Sequence, residues 1–150
     1  MSDLAVKILG KEEAVAKIRV VKEAAQAALL VSVRGGGLVV ERYAKTKSPI
    51  ETGSLRRSIH VEILEVDRDH AAAIIGTDLV YAAQVEFGGE IHAKNAPFLV
   101  FKTKDGQWHS VKSVTQIPQP YLRPALDENI AEIVEVMRSV FERLIMAAVA

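Results

Sequence analysis

The chain predicts an α+β fold: a long N-terminal helix, a small antiparallel β-sheet with a β-hairpin, and a C-terminal helix packed on the sheet. Three observations carry this. Ile18, Val21, Ala25, Ala28, Ser32, Gly36, Val39 and Tyr43 recur at steps of three and four, which is the stripe of an amphipathic helix. Apolar and polar residues alternate after Gly53, and strand-like runs flank Asp105-Gly106. A second wide stripe, Leu126, Ile130, Ile133, Val134, Met137, Phe141, Leu144 and Ile145, follows Pro124.

The first helix begins near Lys11 and meets Gly35-Gly36-Gly37, each of which costs about 1 kcal/mol in a helix interior relative to Ala. Two readings stay open: a helix ending near Arg34 with a shorter one over 38–47, or one helix in which Gly36 lies where another backbone crosses closely. A continuous helix of about 37 residues would be about 55 Å long, more than the width of a compact domain of this size, so part of it would project toward a partner. Pro49 biases Ser48 toward extended geometry and ends the helix by Lys47.

Gly53 can take a positive φ and the Thr52 hydroxyl can hold a local bond, so a tight turn follows. Beyond it Leu55, Ile59, Val61 and Ile63 alternate with Ser54, Arg56, Ser58, His60 and Glu62, as in a half-buried strand. Arg57 interrupts the apolar row and belongs at a sheet rim, on a carboxylate or against a neighbouring subunit. HAAAIIG, residues 70–76, is a second strand. Residues 80–87 have helical spacing, with Tyr81, Val85 and Ala82 on one side, and Gly88-Gly89 ends them.

Residues 91–102 and 107–116 flank Lys104-Asp105-Gly106, a hairpin signal. Phe98, Leu99, Val100 and Phe101 are apolar on both faces, so that strand is covered by its own domain or by another chain. Pro118-Gln119-Pro120 excludes regular structure, and Pro124 suits the first residue of the last helix. Asp127, Glu128 and Glu132 near its start and Arg138 and Arg143 further on match the helix dipole. The ending LIMAAVA completes a core or meets a neighbour.

With 150 residues, the chain fits a single domain, 1–150. Nineteen basic side chains balance 19 acidic ones, so no net field recruits nucleic acid or an anionic membrane. The absence of cysteine removes thiolate chemistry and disulfides. The longest charge-free apolar run near the start, residues 24–33, is too short for a bilayer, and no signal pattern precedes it; the expectation is a soluble protein. Aromatics are only 5% against 49% apolar residues, a profile of plain helices and strands rather than of a ligand-gripping pocket.

No catalytic constellation stands out. RGGG lacks the Lys-Ser/Thr of a phosphate loop, and His60, His70, His92 and His109 have no metal-like spacing. Asp67, Asp69 and His70 fall where a solvated turn is expected. Glu86 near Arg56 and Arg123 reads as a structural salt bridge. Ser54 and Ser58 lack a nucleophile elbow and read as strand-face hydroxyls.

Three segments nevertheless form a pattern: Pro-x-x-Thr-Gly-x-Leu-Arg-x-Ser-Ile over 49–59, Tyr-Ala with Glu-Phe-Gly over 81–88, and Tyr-Leu-Arg-Pro-Ala over 121–125. In this order and at these separations they resemble the tail-component family of tailed bacteriophages, the neck, head-tail joining or tail-completion proteins, over residues 39–130. The resemblance implies a non-enzymatic virion protein, without cofactor or metal, assembled as a homo-oligomeric and expectedly hexameric ring at the head-tail interface. Its implied partners are the connector or head-closure proteins, the tail-tube proteins, and double-stranded DNA that passes through the lumen without sequence-specific binding; no membrane is implied.

Carried over by position, Thr52, Gly53, Leu55, Arg56 and Ser58 would set the helix-to-sheet corner. Tyr81, Ala82, Glu86, Phe87 and Gly88 would cap the sheet, and Leu122, Arg123, Pro124 and Ala125 would launch the last helix. Phe98, Leu99, Val100 and Phe101 are the expected subunit interface. The competing readings are a binding module that uses its apolar surface on a peptide or protein, and a small enzyme built on dispersed groups such as Glu86 with His92.

Overall fold

The computed structural model describes residues 10–67, 70–103 and 105–149. Helix α1 is Lys11–Lys47, and it crosses the glycine triplet without a break. The short helix α2 (Ser54–Ser58) leads into β1 (His60–Asp67) and β2 (His70–Gly76), which pair with each other. Then come α3 (Ala82–Phe87), β3 (Gly89–His92), β4 (Leu99–Lys102), β5 (Trp108–Val111), β6 (Ser113–Gln116), α4 (Leu122–Asp127) and α5 (Ile130–Val149). The turn expected over Asp67, Asp69 and His70 includes Asp69, which lies outside the described residues.

The chain divides into two compact units: residues 1–38, 62–74 and 131–150 in the first, residues 39–61 and 75–130 in the second. In the first unit α5 lies against α1 at the glycines. A methyl group on Gly36 would sit 2.8 Å from Met137 Cγ and 3.2 Å from Ile133 Cγ2, while Gly35 has Val136 at 3.4 Å. The close neighbour at Gly36 is therefore a pair of side chains rather than a crossing backbone. That contact offsets the helix cost of Gly36, because the missing side chain there lets Met137 and Ile133 of α5 approach. Ala28 and Ser32, earlier on the same stripe, are buried, and Ser32 Oγ satisfies itself on the Leu29 carbonyl.

Residues 11–23 of α1 are exposed throughout. By length and composition α1 could cross a membrane, its most apolar 18-residue stretch having a mean hydropathy of 1.2. Within that stretch 39% is buried, including Ala28 and Ser32 inside the first unit.

In the second unit the core is Val39, Val40, Ala44, Leu55, Ile59, Ala82, Tyr121 and Ala125. Residues 54–58 are helical, not the start of a strand as the alternation predicts, and β1 begins only at His60. Leu55 and Ile59 are four apart, a spacing that serves a helical turn as well as a strand, so both are buried under either geometry. In α3 the buried pair is Ala82 and Glu86, whereas Tyr81 is exposed and Val85 half-buried, so the predicted face is rotated.

The hairpin forms as expected, in two nested pieces. β3 pairs antiparallel with β6 and β4 with β5, and Gly106 turns the loop at φ 86°. The last helix comes in two parts. Pro124 is the third residue of α4 rather than its first, and residues 128–129 separate α4 from α5. Asp127 and Glu128 therefore close α4, only Glu132 lies in the first turn of α5, and no basic residue lies in its last turn.

Candidate functional site

The motif residues of the second unit gather around the ends of two helices, where backbone groups lack partners. At the C-terminus of α1 the Lys45 carbonyl accepts from Arg56 Nε at 2.7 Å and from Ser48 Oγ at 2.9 Å, and Arg56 also reaches the Thr46 carbonyl at 3.5 Å. A guanidinium is well suited there: it is always charged and it meets the negative end of the helix dipole. Arg56 is delivered by the Thr52–Gly53 turn. Gly53 has φ 74°, and the Ser54 amide donates to Thr52 Oγ1 at 3.3 Å. Arg57 is exposed and stays local, donating weakly to the Thr52 carbonyl and Ser54 Oγ.

Glu86 performs the complementary task at α4. Its carboxylate accepts the backbone N–H groups of Tyr121 (2.7 Å), Leu122 (2.9 Å) and Arg123 (2.9 Å). Burial works to raise its pKa, but the three amides, joined by the Arg123 charge, outweigh it and hold the carboxyl below its ordinary value. This replaces the expected ion pair. Arg56 is engaged on α1, and Glu86 meets backbone amides first and the Arg123 charge second. Tyr121 is pushed up by burial, then by the Glu86 and Tyr81 charges.

Ser58 Oγ bonds the Leu55 carbonyl at 2.8 Å and Thr77 Oγ1 at 2.6 Å, tying the end of α2 to the segment after β2. Gly88 is the tightest point. Its φ is 68°, and a Cβ there would lie 2.7 Å from the Gln116 carbonyl oxygen and 2.8 Å from Pro118. Nearby the Gln119 amide donates to the Val85 carbonyl at 2.8 Å.

Thr52, Gly53, Leu55, Arg56 and Ser58 therefore form one corner, and Glu86 with Leu122 and Arg123 a second. Ala82, Tyr121 and Ala125 fill the core between α3 and α4. Phe87 points to solvent. Sequence reasoning missed Thr77 and Ser48 as members, and it quoted Tyr121 within the 121–125 motif without giving it a role. Thr77 has no local signal, whereas the place of Ser48 beside the end of α1 could have suggested a cap.

An apolar groove of about 500 Å3 lies beside this cluster, with Val40, Ile75, Ala82, Phe87 and Leu126 in its walls. The buried acid in its lining, Glu86, has its oxygens bonded to the three backbone amides. Among the described residues, no three His, Asp or Glu side chains gather as metal ligands.

Residues 7–88 match the family model described as "Bacteriophage HK97-gp10, putative tail-component". The chain belongs to this family. Neither a curated protein nor a solved structure matches it. The HK97 gp10-like match contains the Arg56 corner and Glu86, while residues 121–123, whose amides Glu86 holds, lie beyond it. The HK97 gp10-like family is one of bacteriophage tail components, which suggests a structural, non-enzymatic protein associated with the virion and with other virion proteins.

Proposed function

We propose that this tail component is one ring-forming unit over its whole length, 1–150, closing as a homo-oligomeric, hexameric ring at the head-tail interface. There it joins the connector to the tail tube and leaves a lumen through which double-stranded DNA slides. The motif residues serve as architecture: Arg56 and Glu86 fix the ends of α1 and α4 so that the surfaces between them keep one shape.

The observation that carries the reading is uncovered apolar surface in a member of a phage tail family. Phe98, Val100, Phe101 and Trp108 on the β4–β5 hairpin are all exposed, so nothing in the described chain covers that strand on both faces. Exposed apolar side chains gathered on one element in this way mark an interaction surface. A virion assembled without this protein tests the role. The expected product is filled heads beside finished but unjoined tails, restored to joined particles by adding the purified protein. Joined, infectious particles formed in its absence would remove the head-tail role.

A further inference from the structure

The register of the hairpin divides its apolar residues between two faces. Leu99 pairs with Val111 and Phe101 with His109, the latter rings stacking at 5.9 Å, while Val100 pairs with Ser110 and Lys102 with Trp108. Directly opposed residues share a face and the faces alternate along a strand. Val100 and Trp108 therefore stand on one face beside Lys102, with Phe98 next in the alternation. Their exposures are 64%, 71% and, for Phe98, 45%. The opposite face carries the half-buried Leu99 and Val111 together with the exposed Phe101 and His109. A two-stranded sheet of four residue pairs is marginal in water by itself, so an outer face of this composition calls for cover.

We infer that the Phe98–Val100–Trp108 face of one subunit docks into the α3–α4 groove of the next copy, with Trp108 as its anchor. The inference rests on the ring reading and names the two surfaces the ring would join. Three observations support the pairing. The groove, at about 500 Å3, lies in the range of sites that take a large side chain, and none of its walls comes from the hairpin of its own chain. The charges are complementary. Among the described residues of 94–112, Lys94, Lys102 and Lys112 outnumber Asp105, whereas the lining of the groove carries Glu86 and Asp127 against Arg123. Finally, a cyclic ring joins two different surfaces of the same chain, and a basic aromatic hairpin with an acidic apolar groove is such a pair.

The chain has a single tryptophan, so its emission, once the spectrum of tails alone is subtracted, reports the surroundings of Trp108. Rings are assembled on purified tails, sized, and compared with free protein. The expected result is Trp108 emission moving to shorter wavelength on assembly, with rings lost in W108A. K102E and D127K should each raise the concentration needed for closure by about fivefold per interface, and the double variant should recover most of that loss. Circular dichroism of each free variant checks that it is folded, and the recovery in the double variant separates a broken contact from a damaged subunit. Rings that form normally in W108A, or with Trp108 still emitting as in water, overturn the docking assignment and leave the ring standing. A protein that stays monomeric on tails at every concentration overturns both.

Discussion

Glu86 carries a negative charge at a position only 6% exposed, and what makes this tolerable is three backbone amides aimed at it. Glu86→Gln keeps the shape but loses the charge and one acceptor oxygen, so the fold should lose about 1–3 kcal/mol at neutral pH, measured by urea unfolding. The pH dependence follows from the sign of the shift. The folded carboxyl titrates below its ordinary 4.5, so its contribution is complete above that value and is lost as the pH falls through the folded-state pKa. Wild type and Gln variant should therefore converge in stability on acidification below about 4.5. Parallel curves would show that the charge does not matter. Gly88 is a second point at which one atom decides. Gly88→Ala combines a positive φ with a Cβ at 2.7 Å from the Gln116 carbonyl, and should cost about 1–3 kcal/mol in the same assay.

At the scale of elements, α1 shows how neighbours override propensity. Gly35 and Gly36 are adjacent in one helix, but a methyl on Gly35 meets Val136 at an ordinary 3.4 Å and one on Gly36 meets Met137 at 2.8 Å. Gly35→Ala should thus gain about 0.5–1 kcal/mol from helix propensity, whereas Gly36→Ala should gain less or nothing because Met137 must move. Melting temperatures of the two variants compare them directly. The same contrast explains which parts of the fold were legible in the sequence. The stripe from Ile18 to Tyr43 marked α1, Pro49 its end, and Asp105-Gly106 the hairpin, all signals carried by residues close together in the chain. Residues 54–58 misread as strand because Leu55 and Ile59 satisfy both periods. The division of α4 from α5 was hidden within one long apolar pattern; Asn129 Nδ2 bonding the Ala125 carbonyl helps to close α4, and that cap resembles any polar residue on a helix. The bonding partners of Arg56 and Glu86 could not be read, since they are backbone groups 11 and 35–37 residues away, and a backbone carbonyl or amide leaves no mark in a sequence.

For the whole molecule, the question is whether exposed apolar residues stabilise the subunit or its assembly, and Val100 separates the two. At 64% exposure it contributes little to the free subunit, so Val100→Glu should change monomer stability by no more than about 0.5 kcal/mol. The same change puts a charge on a face that assembly would bury, where an unpaired carboxylate costs several times that amount. The expected outcome is a variant that unfolds like wild type in urea yet fails to form rings when sized by native mass spectrometry on tails. Leu99→Glu gives the contrast. Leu99 is itself half-buried, opposite the half-buried Val111, so its substitution should weaken the free subunit itself. Equal loss of stability in both variants would mean that the two faces of the hairpin are used alike within the subunit. Unaltered rings in Val100→Glu would mean that the neighbouring subunit binds elsewhere.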